Sequence, residues 1–146
     1  MLVTGIDFYV LEKTRSDRQL VACQICEKAY KHKHRVYLLA GSEEEISQLD
    51  DRLWSFRAGS FVPHAPFLKA EDFQSEANCD VPVLIGHLPA PESHQDVLIN
   101  LGNHFPEGYQ CFSRVIEIID DSIREAGRQR FRLYKNDGFS IKTHKI

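Results

Sequence analysis

The sequence predicts a three-layer α/β domain on a mostly parallel, twisted sheet, Rossmann-like in outline and lacking a nucleotide site. Three observations predict it. Short apolar runs of strand length alternate with stretches of helical period, the order that lays helices over a parallel sheet. Several runs, among them "HRVYLLA", "PVLIG" and "DVLINL", are apolar nearly throughout, as strands covered on both faces are. Glycine is missing where a nucleotide would need it. Neither G-x-G-x-x-G nor G-x-x-x-x-G-K-[ST] occurs, and the turn "EKTRSDRQ" has no glycine to let the backbone approach a pyrophosphate.

The elements follow in order. "IDFYVLE" (6–12) is β-branched and aromatic and reads as the first strand. Residues 16–32 have apolar positions at helical spacing, with Ser16 as the expected cap. "HRVYLLA" (34–40) is the second strand. Ser42 and Glu45 then have the spacing of a capping box, and Glu43, Glu44 and Glu45 suit the positive end of the helix they open. Residues 57–81 show little periodicity, and three of the six prolines lie nearby, so a long irregular connection with a use of its own is expected there. Residues 82–86, 96–101 and 113–119 are three further buried-type strands, and an arginine-rich helix closes the fold.

Length and composition set limits on function. With 146 residues, one α/β domain over 1–146 with one core is expected. The formal charge of -3 and a pI near 6.1 give no protein-wide positive field to draw in nucleic acid. No apolar run is long enough to span a bilayer, and the first residues lack the pattern of an export signal. Cys23, Cys26, Cys79 and Cys111 are unevenly scattered, which fits reduced thiols in a cytoplasmic protein.

Candidate sites are few. Cys23, Cys26, His32 and His34 are four metal-type ligands within twelve residues. Both cysteines, however, fall inside a predicted helix beside Ala22, Ala29 and Tyr30, so they read as core thiols, and no metal or cofactor is expected. "ESHQD" brings Ser93, His94 and Asp96 together in sequence only. Triads converge from distant positions, so a polar turn is the expectation and no catalytic set is assigned. Trp54, Phe56, Phe61, Val62, Pro63 and Phe67 gather where a helix meets the proline-bearing segment. They serve equally as a core cap or as a preorganised docking surface.

The sharpest feature is "IREAGRQRFRLYKNDGF" (123–139). At about 100° per residue, Arg124, Arg128, Phe131, Arg132 and Lys135 share one face of a helix. Ile123, Ala126, Leu133 and Tyr134 form the expected core side, with Arg130 among them and explained only by snorkelling or a local ion pair. A face of one sign, with Phe131 expected exposed at its middle, suits an anionic ligand with an apolar end: a phosphate-bearing base or an acidic peptide.

These residues carry a resemblance. "DFYVL", "LDDRLW", "SFVPH", "DVLINL" and the closing "RFRLYK" with its following "GF" are similar to the chi subunits of bacterial DNA polymerase III holoenzyme, over nearly the whole chain. The resemblance implies a non-catalytic accessory subunit of the clamp-loader complex. It also implies that Trp54 and Phe61, in a segment continuing through Val62, Pro63 and His64, contact the psi subunit, on a surface that a repair helicase can also use. The acidic C-terminal tail of single-stranded DNA-binding protein would bind Arg124, Arg128, Phe131 and Arg132, with Lys135 beside them, so that DNA is met only indirectly. Two other classes stay open. Direct single-strand binding would need more aromatics among the arginines, and an α/β enzyme would need perturbed titratable groups in a cleft.

Overall fold

A computed structural model describes residues 4–12, 17–68 and 81–146. Seven parallel strands form its central sheet: β1 (Gly5–Val10), β2 (Val36–Leu39), β3 (His64–Phe67), β4 (Val83–Gly86), β5 (Val97–Asn100), β6 (Arg114–Ile119) and β7 (Ile141–Lys145). Their order across the sheet is β3-β4-β2-β5-β6-β1-β7, with β2 in register between β4 and β5 and β1 between β6 and β7. Among the described residues the long helices are α1 (Arg18–Lys31), α2 (Glu43–Ser55) and α3 (Arg124–Asn136).

Side-chain alternation along the strands builds the three layers. Val36 and Leu38, Val83 and Ile85, Val97 and Ile99, and Ile116 and Ile118 join α1 and α2 in one apolar layer. The residues between them, Tyr37, Leu84, Leu98 and Val115, point to the other face with Ile6, Phe8 and Tyr134 of α3. Strands apolar on both faces are what a sheet covered by helices on both sides requires. Close packing at the end of β4 requires glycine: a Cβ on Gly86 would lie 2.6 Å from the Phe67 carbonyl oxygen and the Tyr37 hydroxyl.

The helix starts show where the local reading needs correction. Asp17 caps α1 by accepting from the Leu20 amide at 3.1 Å, and the expected cap, Ser16, lies outside the described residues. Arg52 of α2 clamps that cap with two 2.7 Å bonds, holding the Asp17 carboxyl below the usual carboxylate range. Ser42 caps α2 as expected, accepting from the Glu45 amide at 3.1 Å. The Glu45 carboxylate reaches past the cap to the Gly41 amide, at 2.8 Å.

Two larger differences concern the sheet edges. His64–Phe67 lies within the stretch expected to be irregular, yet pairs in parallel with β4 as an edge strand. Pro66 hid it, and an outer strand is the place in a sheet where a proline is tolerated. The rest of that stretch, 69–80 with Cys79, lies outside the described residues. At the other edge the arginine helix does not end the fold, because β7 follows it and pairs with β1. "IKTHK" has too many charged and polar residues to read as a buried strand, and it needs to bury only one face.

Candidate functional site

Beside β1, α3 packs over the sheet and leaves a pocket of about 400 Å³. Its floor comes from Phe8, Val10 and Leu11 of β1 and its exit, and from Ile119 at the end of β6. Arg124, Arg128 and Arg132 line it from α3, and Thr143 of β7 closes the outer side. Gly127 makes the close packing possible: a Cβ there would come within 2.9 Å of the Ile119 side chain. A glycine inside a run of good helix formers was the available sign of such an approach.

Phe131 is half-buried, a correction to the exposed position expected from the helical wheel. Its ring packs edge-on against Phe8, with centroids 5.3 Å apart, and forms a wall of the pocket. The Lys135 ammonium sits 5.4 Å from its centroid. The cationic face is only partly neutralised. Arg124 pairs with Asp121, and Arg128 stands 3.8 Å from Glu125, while Arg132 has no carboxylate partner among the described residues. Both pairs are solvent-exposed and contribute little to folding, so the guanidinium groups are free to change partners. The arrangement offers an apolar slot wide enough for one aromatic or aliphatic side chain, with donor forks at its rim.

The opposite side of α3 explains Arg130 and corrects Leu133. Leu133 is exposed, not part of the core. Arg130 is 3% exposed, its Nε 3.1 Å from Oε1 of the fully buried Glu117, and its Nη1 donates to the Gly102 carbonyl at 3.4 Å. The other Glu117 oxygen accepts from the Tyr134 hydroxyl at 2.7 Å and from the Asn100 amide at 3.1 Å. Burial pushes the Glu117 carboxyl up, and Arg130 pulls against it. The ion-pair alternative for Arg130 is therefore the one observed. The lone Glu117 in "RVIEII" was its complementary signal.

A second surface lies toward the β3 edge. Trp54, on α2, is 49% exposed and Phe61 is 63% exposed, with ring centroids 5.5 Å apart. Pro63 is partly exposed beside them. Val62 and His64 require correction as surface residues. Val62 is fully buried in the layer under α2, and His64 lies beneath Trp54 at 4.3 Å between centroids. The His64 ring nitrogens face the Val62 carbonyl at 2.6 Å and the Asp50 carbonyl at 2.9 Å, so the imidazole is fixed in place beneath the Trp54 ring.

The remaining candidates resolve locally. Cys23 and Cys26 are buried in the α1 layer, while His32 and His34 are exposed beyond the helix. Burial pushes the Cys23 thiol up to about 11 and raises Cys26 further from its ordinary value. In folded protein at pH 8, both should alkylate at least about a hundredfold more slowly than in urea, since the thiolate is the reactive form. Exposed Cys111 provides the internal control in a mass-spectrometric time course, and equal rates for all three would contradict the buried placement. His94 is buried with its Nε2 2.5 Å from the Val81 carbonyl, and Ser93 bonds to its other nitrogen at 2.6 Å. Asp96 instead accepts from the Arg35 amide at 2.8 Å, so the "ESHQD" residues form a turn and not a relay.

The family model described as DNA polymerase III chi subunit, HolC, matches residues 3–142. The DNA polymerase III subunit chi of Pseudomonas aeruginosa is 37% identical over 99% of this chain and 98% of that protein. The Escherichia coli subunit of the same name is 29% identical over 93% of this chain and 94% of that one. Among solved structures, Mss116p DEAD-box helicase domain 2 bound to an RNA duplex superposes with a TM-score of 0.67 at 10% identity. That match covers 97% of this chain but 64% of the helicase chain, and it speaks to the α/β fold alone. On the full-length match at 37% identity and the family model spanning nearly every residue, this chain belongs to the DNA polymerase III chi subunit family.

Proposed function

We propose that the chain is a non-catalytic adaptor of the DNA polymerase III clamp-loader complex, joining the psi subunit to the acidic C-terminal tail of single-stranded DNA-binding protein. The observation that carries this reading is the α3 pocket, an apolar slot rimmed by Arg124, Arg128 and Arg132. A peptide ending in an apolar residue presents a side chain for the slot and a terminal carboxylate for the guanidinium forks in one short segment. Acidic residues upstream meet a face on which positive charge outweighs negative.

Psi is assigned to Trp54, Phe61 and Pro63, with Val62 and His64 acting from underneath. Large aromatics left half exposed side by side are the residue types that anchor protein interfaces. A repair helicase would compete for this surface. Direct single-strand binding is less well supported, because Phe131 packs edge-on into the pocket wall and so offers no stacking platform for successive bases.

Titrating the chain with intact and with tail-deleted single-stranded DNA-binding protein tests the proposal. Intact protein should bind and the tail-deleted form should not, with DNA absent from both. Equal binding of the two forms would sink the tail assignment.

A further inference from the structure

The sheet leaves one edge beside the α3 pocket, and the chemistry of that edge matches the pocket's. β7 pairs with β1 on its inner side, and among the described residues no strand covers its outer side. Thr143, midway along β7, lines the pocket, and Lys145 is in register with Val10 of the pocket floor. Lys142 and Lys145 are both exposed, and neither has a carboxylate partner among the described residues. An outer strand with unpaired backbone groups is a template for one more extended segment.

We propose that the outer edge of β7 is a second half of the peptide site. An extended acidic peptide whose carboxyl end occupies the α3 pocket adds its upstream residues to β7 as an eighth strand, its carboxylates meeting Lys142 and Lys145. This rests on the acidic-peptide reading of the pocket and extends it from the terminal residues to the preceding segment. Continuity and charge both favour this occupant. Thr143 joins pocket and edge, and Lys145, on the same face of β7 as Thr143, extends the cationic line of Arg124, Arg128 and Arg132, while Lys142 stands on the opposite face of the same edge. The negative groups nearby are largely occupied: Asp121 by Arg124, Asp120 by the Ser122 amide at 2.9 Å, and Asp7 by Arg114 and His144. Glu12, exposed past the end of β1, remains. Five strand residues span roughly 17 Å, so about five peptide residues upstream of the pocket would pair.

The test uses the full chain and two synthetic peptides ending in phenylalanine with a free carboxylate. One has four residues and the other ten, with aspartates upstream. The long peptide should bind about tenfold more tightly than the short one, from backbone pairing and two charge contacts. Lys142→Gln with Lys145→Gln should remove most of that difference and leave the short peptide unchanged. Methylating alternate upstream backbone nitrogens of the long peptide should remove it too, although the charges are kept. Equal affinity of the two peptides for the wild type, or a methylated peptide as tight as its parent, would overturn strand addition while leaving the pocket reading intact. Failure of both peptides to bind would overturn the pocket reading, and this proposal with it.

Discussion

Glu117→Ala should destabilise the fold by about 3–5 kcal/mol, the usual cost of removing one partner of a buried ion pair. The Arg130 guanidinium would then sit 3% exposed with no counter-charge and only a long bond to the Gly102 carbonyl. Arg18 worsens the imbalance. It donates to the Ile118 carbonyl at 2.8 Å, and burial already lowers its pKa. Arg18 also has Asp120 and Glu45 acting on it, each more strongly than Glu117, so the loss of Glu117 strands Arg130 above all. Glu117→Gln keeps the bonds from Tyr134 and Asn100 but not the charge, and should fall between wild type and alanine. Replacing Glu117 and Arg130 together with Leu and Met should recover much of the loss, since no charge is then stranded. Urea unfolding of the four proteins at one pH decides it. A loss under about 1 kcal/mol for Glu117→Ala would show that the pair is not needed to hold α3 on the sheet.

Arg128→Ala should weaken binding of the acidic tail ten- to a hundredfold, the loss of one charge-assisted contact worth roughly 1.5–3 kcal/mol. Arg128 lies between Arg124 and Arg132 at the pocket rim, one turn from Phe131, and its side chain is 62% exposed. Its removal should therefore leave thermal stability nearly unchanged. Arg128→Lys should restore binding only in part, because an ammonium supplies a point charge where a carboxylate accepts two parallel bonds. Added salt should weaken the wild type. Binding through Trp54 and Phe61, on the other side of the sheet, should be unaffected. Fluorescence titration of a labelled tail peptide, with melts alongside, measures all of these. Unchanged affinity in a folded Arg128→Ala protein would remove this residue from the site.

Strand positions were legible because alternation within an apolar run needs no knowledge of neighbours. Val36 and Leu38 against Tyr37 is a local pattern with a global result. The two edge strands were not legible for the same reason. His64–Phe67 and Ile141–Lys145 have water on one side, so their sequences satisfy the surface as much as the sheet. The arginine face could be placed by angle alone, but not the floor beneath it. Phe8, Val10 and Ile119 reach the pocket from strands more than a hundred residues apart in sequence, and only the sheet order brings them under α3. Helical angle misled at Leu133 and Phe131. The depth of a helix position depends on what it packs against, and Phe8 draws Phe131 inward.

Six inter-strand steps separate β3 from β7, about 29 Å at ordinary strand spacing. A chain pulled at both ends through Trp54 and Arg128 carries the tension crosswise through the sheet. The backbone bonds between strands then lie along the load and are stretched, not sheared. They yield more easily in that direction, so mechanical resistance passes to the two side-chain layers that grip the strands from either face. Toughness under such a load would therefore depend on Leu38, Ile85, Ile99 and their neighbours, residues distant from both pulling points.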